Sequence, residues 1–340
     1  MNGRSLHSLS LLTSLGLALL ASFAANDASA YCRMTTEGGA QVGTQPCIEK
    51  GAPFFWNNPC LSYAIDRRGS DSIEPSDIED AVNAAFATWE TADCPEGSTP
   101  NLVFKPSMAP STCKRAEFNT TGNVNTIAFL NPWNDPCDGP GDPAYAPLAF
   151  AVTIVWHNTS TGEILDADMM INDQQFIPGQ QAGGPYANCP DSRCLGTDAD
   201  LRGIVTHEAG HFIGIGHCNP ENVDDPNDPC VLATMFASAE RNAVDKRSLA
   251  PDDIDAVCDI YPPGDLDQTC NATPLGGLLL NCETTPEGNP IACDAPGSTS
   301  SGGCSCSTMQ TPADALWLTF AALIGLSVIR RRSARPGARS

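Results

Sequence analysis

The eleven residues His207–His217, HEAGHFIGIGH, hold three of the chain's 5 histidines. On an α-helix His207 and His211 lie four residues apart, on one face and one turn from each other, so both rings can converge on a single cation. Glu208 lies next to that face, close enough to address a water on the metal without being a ligand itself. A third ligand on the same helix would fall at position 214 or 215, where the chain has Gly214 and Ile215. Gly214 can take the left-handed conformation that ends a helix and turn the chain back under the metal, bringing His217 in from another direction. Three imidazoles and an open fourth position are the makings of a catalytic Zn2+ site, because zinc prefers tetrahedral nitrogen ligation and a catalytic ion keeps one place for water. The plain alternative is a helix with surface histidines. H-E-x-x-H alone occurs by chance in ordinary helices, whereas the full H-E-x-x-H-x-x-G-x-x-H adds two residues at fixed offsets and is matched throughout.

The elements that must position this stretch can be read from periodicity. PCLSYAID alternates like a strand, with Leu61, Tyr63 and Ile65 on one face. EPSDIEDAVNAAFATWE follows, with a cap signal at Ser76 or Asp77 and Ile78, Val82, Ala85, Phe86 and Trp89 spaced for an amphipathic helix. NLVFK and NTIAFL are short strand candidates. The long run LAFAVTIVW, the turn HNTSTGE and the strand ILDADMMIN form a hairpin-like pair. A loop between Cys189 and Cys194 leads to a second helix, expected to start between Thr197 and Asp200. APDDIDAVCDIYPP closes the globular part, with Pro251 in the first turn of a helix and Pro262-Pro263 stopping it.

With these elements in place the chain resembles the metzincin metallopeptidases, matrixin-like group, over about Phe54 to Pro263. The zinc motif carries the resemblance, and ATMFA adds Met235 downstream of the third histidine, where the family has its Met-turn. AVNAAFATWE is similar to the family's first long helix, LAFAVTIVW to its substrate-aligning edge strand, and APDDIDAVCDIYP to its closing helix. The implied fold class is α+β: a twisted mixed five-stranded sheet with a long helix and a zinc-motif helix, and a cleft between upper and lower subdomains. The implied site is His207, His211 and His217 on zinc, Glu208 as catalytic residue, Met235 in the Met-turn and Gly214 in the helix-ending turn. The chain departs from the family in having Cys218 where a serine usually follows the third histidine. That cysteine is either a fourth zinc thiolate or a disulfide, with Cys230 as the expected partner in an oxidised chain. Phe150 and an isolated His157 do not reproduce the family's second, structural zinc. Asp166 and Asp168 either contribute to a Ca2+ site or form the solvated face of a strand. The PRCGxPD latency motif is absent, which leaves Cys47 as a candidate latency thiol.

The ends give the chain its address. Residues 1–30 read as a secretory signal peptide, with Arg4, an apolar stretch from Leu11 to Leu20 and a small-residue site at Ala28-Ser29-Ala30. Residues 31–53 are a short leader, 54–263 the catalytic domain, and 264–303 a Pro-, Gly-, Ser- and Thr-rich stalk with cysteines. Residues 304–340 join a Cys motif, the apolar run Ala315 to Ile329 and Arg330, Arg331 and Arg332, which resembles the C-terminal sorting tags of myxobacterial surface proteins. The 16 cysteines suit an exported, disulfide-bonded chain. A net charge of −22 argues against nucleic acid, which needs a basic stripe. The expected partner is a protein or peptide substrate of a monomeric, extracellular or surface-attached endopeptidase, touching a membrane only through its tail. The rival readings are a catalytically silent, zinc-stapled adhesion module and a zinc hydrolase acting on a non-peptide amide.

Overall fold

Parallel strands need a crossover between them, and the first one here is a helix. In the computed structural model β1 (Cys60–Ile65) is followed by α1 (Pro75–Glu90), which returns the chain to β2 (Val103–Pro106) beside β1. β3 (Thr126–Leu130) pairs with β1 on its other side, and β5 (Ile164–Asn172) with β3, all parallel. β4 (Ala151–His157) runs antiparallel to β5 and forms the outer edge, giving the order β2-β1-β3-β5-β4. The structure describes residues 31–38, 47, 50–113, 115–133, 145–180, 182–220, 224–225, 227–264 and 269–282. The expected signal peptide (1–30), the later part of the stalk (283–303) and the C-terminal segment (304–340) lie outside these residues.

After the sheet come the two-residue strands β6 (Tyr186–Ala187) and β7 (Ala199–Asp200), then α2 (Leu201–Phe212), the single turn α3 (Pro229–Leu232) and α4 (Pro251–Ile260). α1 starts on Pro75, one residue before the expected cap. Glu74 holds the cap position without a side-chain bond, and Asp77 lies in the first turn, where its charge faces the positive end of the helix dipole. The helix buries Ile78, Val82, Ala85, Phe86 and Trp89 as its spacing requires. Phe86 stacks on Tyr63 of β1 at 4.2 Å and meets Phe212 of α2 edge-on at 5.4 Å, so both helices cover the same face of the sheet. The opposite face is closed by Ala128, Leu130, Val152, Ile154 and Met170 packed under Trp133 and Tyr145. Every residue of β3 is therefore buried, as expected of a strand covered on both faces.

Six disulfides join described residues: Cys32–Cys47, Cys60–Cys270, Cys94–Cys258, Cys113–Cys282, Cys189–Cys194 and Cys218–Cys230. Cys47 is thus held by Cys32 and is not a latency thiol in this state. Two bridges bind residues 269–282, in the segment expected to be a stalk, along the domain. There the Thr112 amide donates to the Leu280 carbonyl, and Asn123 exchanges backbone bonds with Gly277 and Leu279. No helix among the described residues is long and apolar enough to cross a membrane.

Candidate metal centre

α2 begins where Asp200 accepts a bond from the Gly203 amide at 2.9 Å, capping the helix. That start puts His207 and His211 in the later turns, on the side facing the loop that follows. The helix ends at Phe212 with Ile213 as its cap, and Gly214 then takes φ +94°, a conformation that strains any residue with a β-carbon. The leader fixes the turn from outside: Met34 donates its amide to the Gly214 carbonyl at 3.0 Å and the Cys32 carbonyl accepts from Gly216 at 2.7 Å. His217 emerges from this turn and faces the other two rings.

The three Nε2 atoms converge. His217 Nε2 lies 3.3 Å from His207 Nε2 and 3.1 Å from His211 Nε2. His207 Nδ1 is 2.7 Å from the Thr234 carbonyl and His211 Nδ1 is 2.8 Å from the Ile215 carbonyl. A carbonyl only accepts, so both Nδ1 atoms carry the proton, and both Nε2 atoms turn bare lone pairs inward. A cation among the three nitrogens would take up these lone pairs. Tetrahedral zinc with bonds of about 2.0–2.1 Å sets neighbouring nitrogens about 3.3–3.4 Å apart, so the donor set fits that ion. Burial, aided by the two neighbouring imidazoles, holds His207 well below the usual histidine range. Burial also takes His211 down to about 4, keeping it neutral and able to ligate.

Glu208 is buried beside the triad, and burial lifts its carboxyl to about 7 against the opposing hydrogen bond from Thr153. Thr153 Oγ1 donates to Glu208 Oε2 at 2.7 Å. Met235, 1 % exposed, lies under the helix against Gly210. A β-carbon on Gly210 would collide with Met235 Sδ and come within 2.9 Å of Trp89 Cζ2, so this glycine allows α1, α2 and the Met235 turn to meet. Cys218 pairs with Cys230, so its sulfur is not a fourth ligand to the triad.

Residues 55–262, more than half of the chain, match the family model of the matrixin peptidases. The chain is a matrixin. No curated protein matches it. Membership implies zinc chemistry, and the matrixin's histidine triad has the donors for it.

Four residues around this matrixin's triad are not marked out by the sequence motif. Gly210 was one of the unassigned positions of the motif, and its signal was a glycine in mid-helix, where alanine is the better former. Thr153 is a single polar residue within the apolar run of β4 and carries no motif signal. Asp253 lies in the first turn of α4, and its carboxylate accepts from the amides of Thr234, Met235 and Ala250 at 2.7, 3.0 and 2.8 Å. It therefore holds the turn whose Thr234 carbonyl orients His207. Lys246 supports the same turn, donating to the carbonyls of Ala233 and Phe236 at 2.7 and 3.1 Å.

Asp166 and Asp168 do not form a solvated face, because both are buried. Asp168 accepts from the Thr126 and Glu117 amides at 2.6 and 2.8 Å and is satisfied without an ion. Asp166 accepts from Asn123 Nδ2 at 2.6 Å. Burial raises both carboxyls well above the usual range, aided at Asp166 by the charge of Asp168 and at Asp168 by that of Glu117. His157 rests against the Phe54 ring at 4.2 Å, at the far end of β4. A cavity of about 190 Å³ between Trp56, Ser62, Ile164 and Thr273 shares no residue with the triad.

Proposed function

We propose that this matrixin is a zinc-dependent endopeptidase of extracellular proteins, with His207, His211 and His217 as ligands and Glu208 as general base. The convergence of three Nε2 atoms, two of them with their lone pairs turned inward, beside a buried acid carries the reading. Zinc, when bound, supplies a Lewis acid that polarises the scissile carbonyl and lowers the pKa of water from 15.7 towards ~7. Glu208 takes the proton from the attacking water as its oxygen bonds to the carbonyl carbon. As the carbon–nitrogen bond breaks, Glu208 passes that proton to the departing amine. The peptide would lie extended against the outer edge of β4, pairing through its backbone, with side-chain preference set by the pocket walled by α2 and the segment after Met235. A zinc-stapled adhesion module would have no use for the buried acid beside the ligands, which favours the enzyme.

We also infer that residues 1–30 direct export, that 54–263 act as the catalytic unit, and that 304–340 hold the protein at the cell surface or are clipped there. One chain supplies the whole site, so a monomer suffices. Replacing Glu208 with Gln should lower cleavage of a denatured protein by about 10²–10⁴-fold with zinc content unchanged. A fully active Glu208→Gln variant, or cleavage that survives a chelator, would refute the assignment.

A further inference from the structure

β4 buries two rows of side chains. Val152, Ile154 and Trp156 join the cluster around Met170, while Ala151 and Val155 join the main core under α2. Alternation puts Thr153 in the second row, where it is the polar residue between two apolar ones, 3 % exposed. A buried hydroxyl is tolerated where it has a partner. Here Oγ1 lies 2.7 Å from Glu208 Oε2 and 3.1 Å from the Glu208 carbonyl oxygen. A hydroxyl has one proton to give, and the shorter approach, to the carboxylate, is the stronger bond.

We propose that Thr153 is the positioning residue of the general base: its hydroxyl pins Oε2 of Glu208 and leaves Oε1 to receive the proton of the attacking water. The inference rests on the peptidase reading. A glutamate side chain has three rotatable bonds, and a base displaced by an ångström loses much of its effect. The pinning residue also belongs to the edge strand proposed to seat the peptide. Base and scissile carbonyl are then registered to one element, and movement of β4 on binding carries the carboxylate with it.

Three variants of the full chain test this: Thr153→Val, which keeps shape and loses the hydroxyl; Thr153→Ser, which keeps the hydroxyl; and Glu208→Gln. Thr153→Val should lower kcat by roughly tenfold to a hundredfold with KM within about twofold and zinc still stoichiometric, and Thr153→Ser should recover most of the loss. Independently of activity, the infrared carboxylate band of Glu208, identified by its disappearance in Glu208→Gln, should shift in Thr153→Val and return in Thr153→Ser. A band unmoved in Thr153→Val, or a shifted band with wild-type kcat, overturns the proposal while Glu208→Gln stays inactive. An active Glu208→Gln variant overturns the peptidase reading itself, and the positioning role with it.

Discussion

Each imidazole of the triad has two nitrogens, and the backbone claims one in at least two of the rings. The Thr234 and Ile215 carbonyls fix the tautomers of His207 and His211, so the inward nitrogens are lone pairs before any ion arrives. A proton and a zinc ion compete for that lone pair, and burial has already made the proton a poor competitor. An exposed histidine protonates near 6.5, whereas His211 does so only near 4 and His207 lies well below its usual value. Zinc should therefore stay stoichiometric from neutral pH to about 5 and leave as the pH approaches 4. Metal content after dialysis across a pH series measures this. Release of half the zinc by pH 6, as from exposed imidazoles, would contradict it.

The helices and strands meet at contacts that leave no slack around the site. α2 touches α1 through Trp89, whose indole donates to the Thr206 carbonyl at 2.7 Å, and touches the Met235 turn through Gly210. By intrinsic propensity Gly210→Ala should stabilise the helix by about 1 kcal/mol. Packing decides otherwise, because the added methyl must displace Met235 or Trp89, both buried. Overfilling a packed core costs about 1–3 kcal/mol, so the net change should be destabilising, with a lower denaturant midpoint and weaker zinc retention. Denaturant unfolding and metal analysis of the variant check both; an unchanged or raised midpoint would show that the contact can relax. The strands of the main sheet and the three longer helices were legible, though not β6, β7 or α3: ILDADMMIN is β5 residue for residue, and the expected hairpin is the β4–β5 pair. Their order in the sheet was not, since pairing of β3 between β1 and β5 depends on partners far apart in sequence.

At the scale of the molecule, covalent links connect segments that look independent in sequence. Cys60–Cys270 and Cys113–Cys282 span 210 and 169 residues and lay the start of the expected stalk against β1 and the loop before β3. Cys94–Cys258 fastens the turn after α1 to α4, the helix that supplies Asp253. Bridges that close long loops restrict the unfolded chain most, and losing one costs about 2–5 kcal/mol. The double replacement Cys113→Ser with Cys282→Ser should lower unfolding stability by that amount, with zinc content retained, because the two cysteines cluster apart from the histidine triad. Calorimetry beside metal analysis provides the check; a midpoint equal to the parent's would mean that backbone bonds to residues 277–280 hold the strap unaided.

The local features of this protein were in its sequence: the His207–His211 spacing, the need for glycine at 214, the faces of α1 and β1. Each follows from helical or strand periodicity and from which residues tolerate a left-handed backbone. Asp166 and Asp168 show the limit of that reading, because alternation told which face they share and not that Asn123, Glu117 and Thr126 would cover it. The hold of Thr153 on Glu208, the support of the Met235 turn by Asp253 and the pairing of Cys60, Cys94 and Cys113 with their distant partners were likewise decided by tertiary structure. Those contacts join residues 18 to 210 positions apart. Periodicity says which way a side chain points from its own element, and only the packing of elements says what it meets.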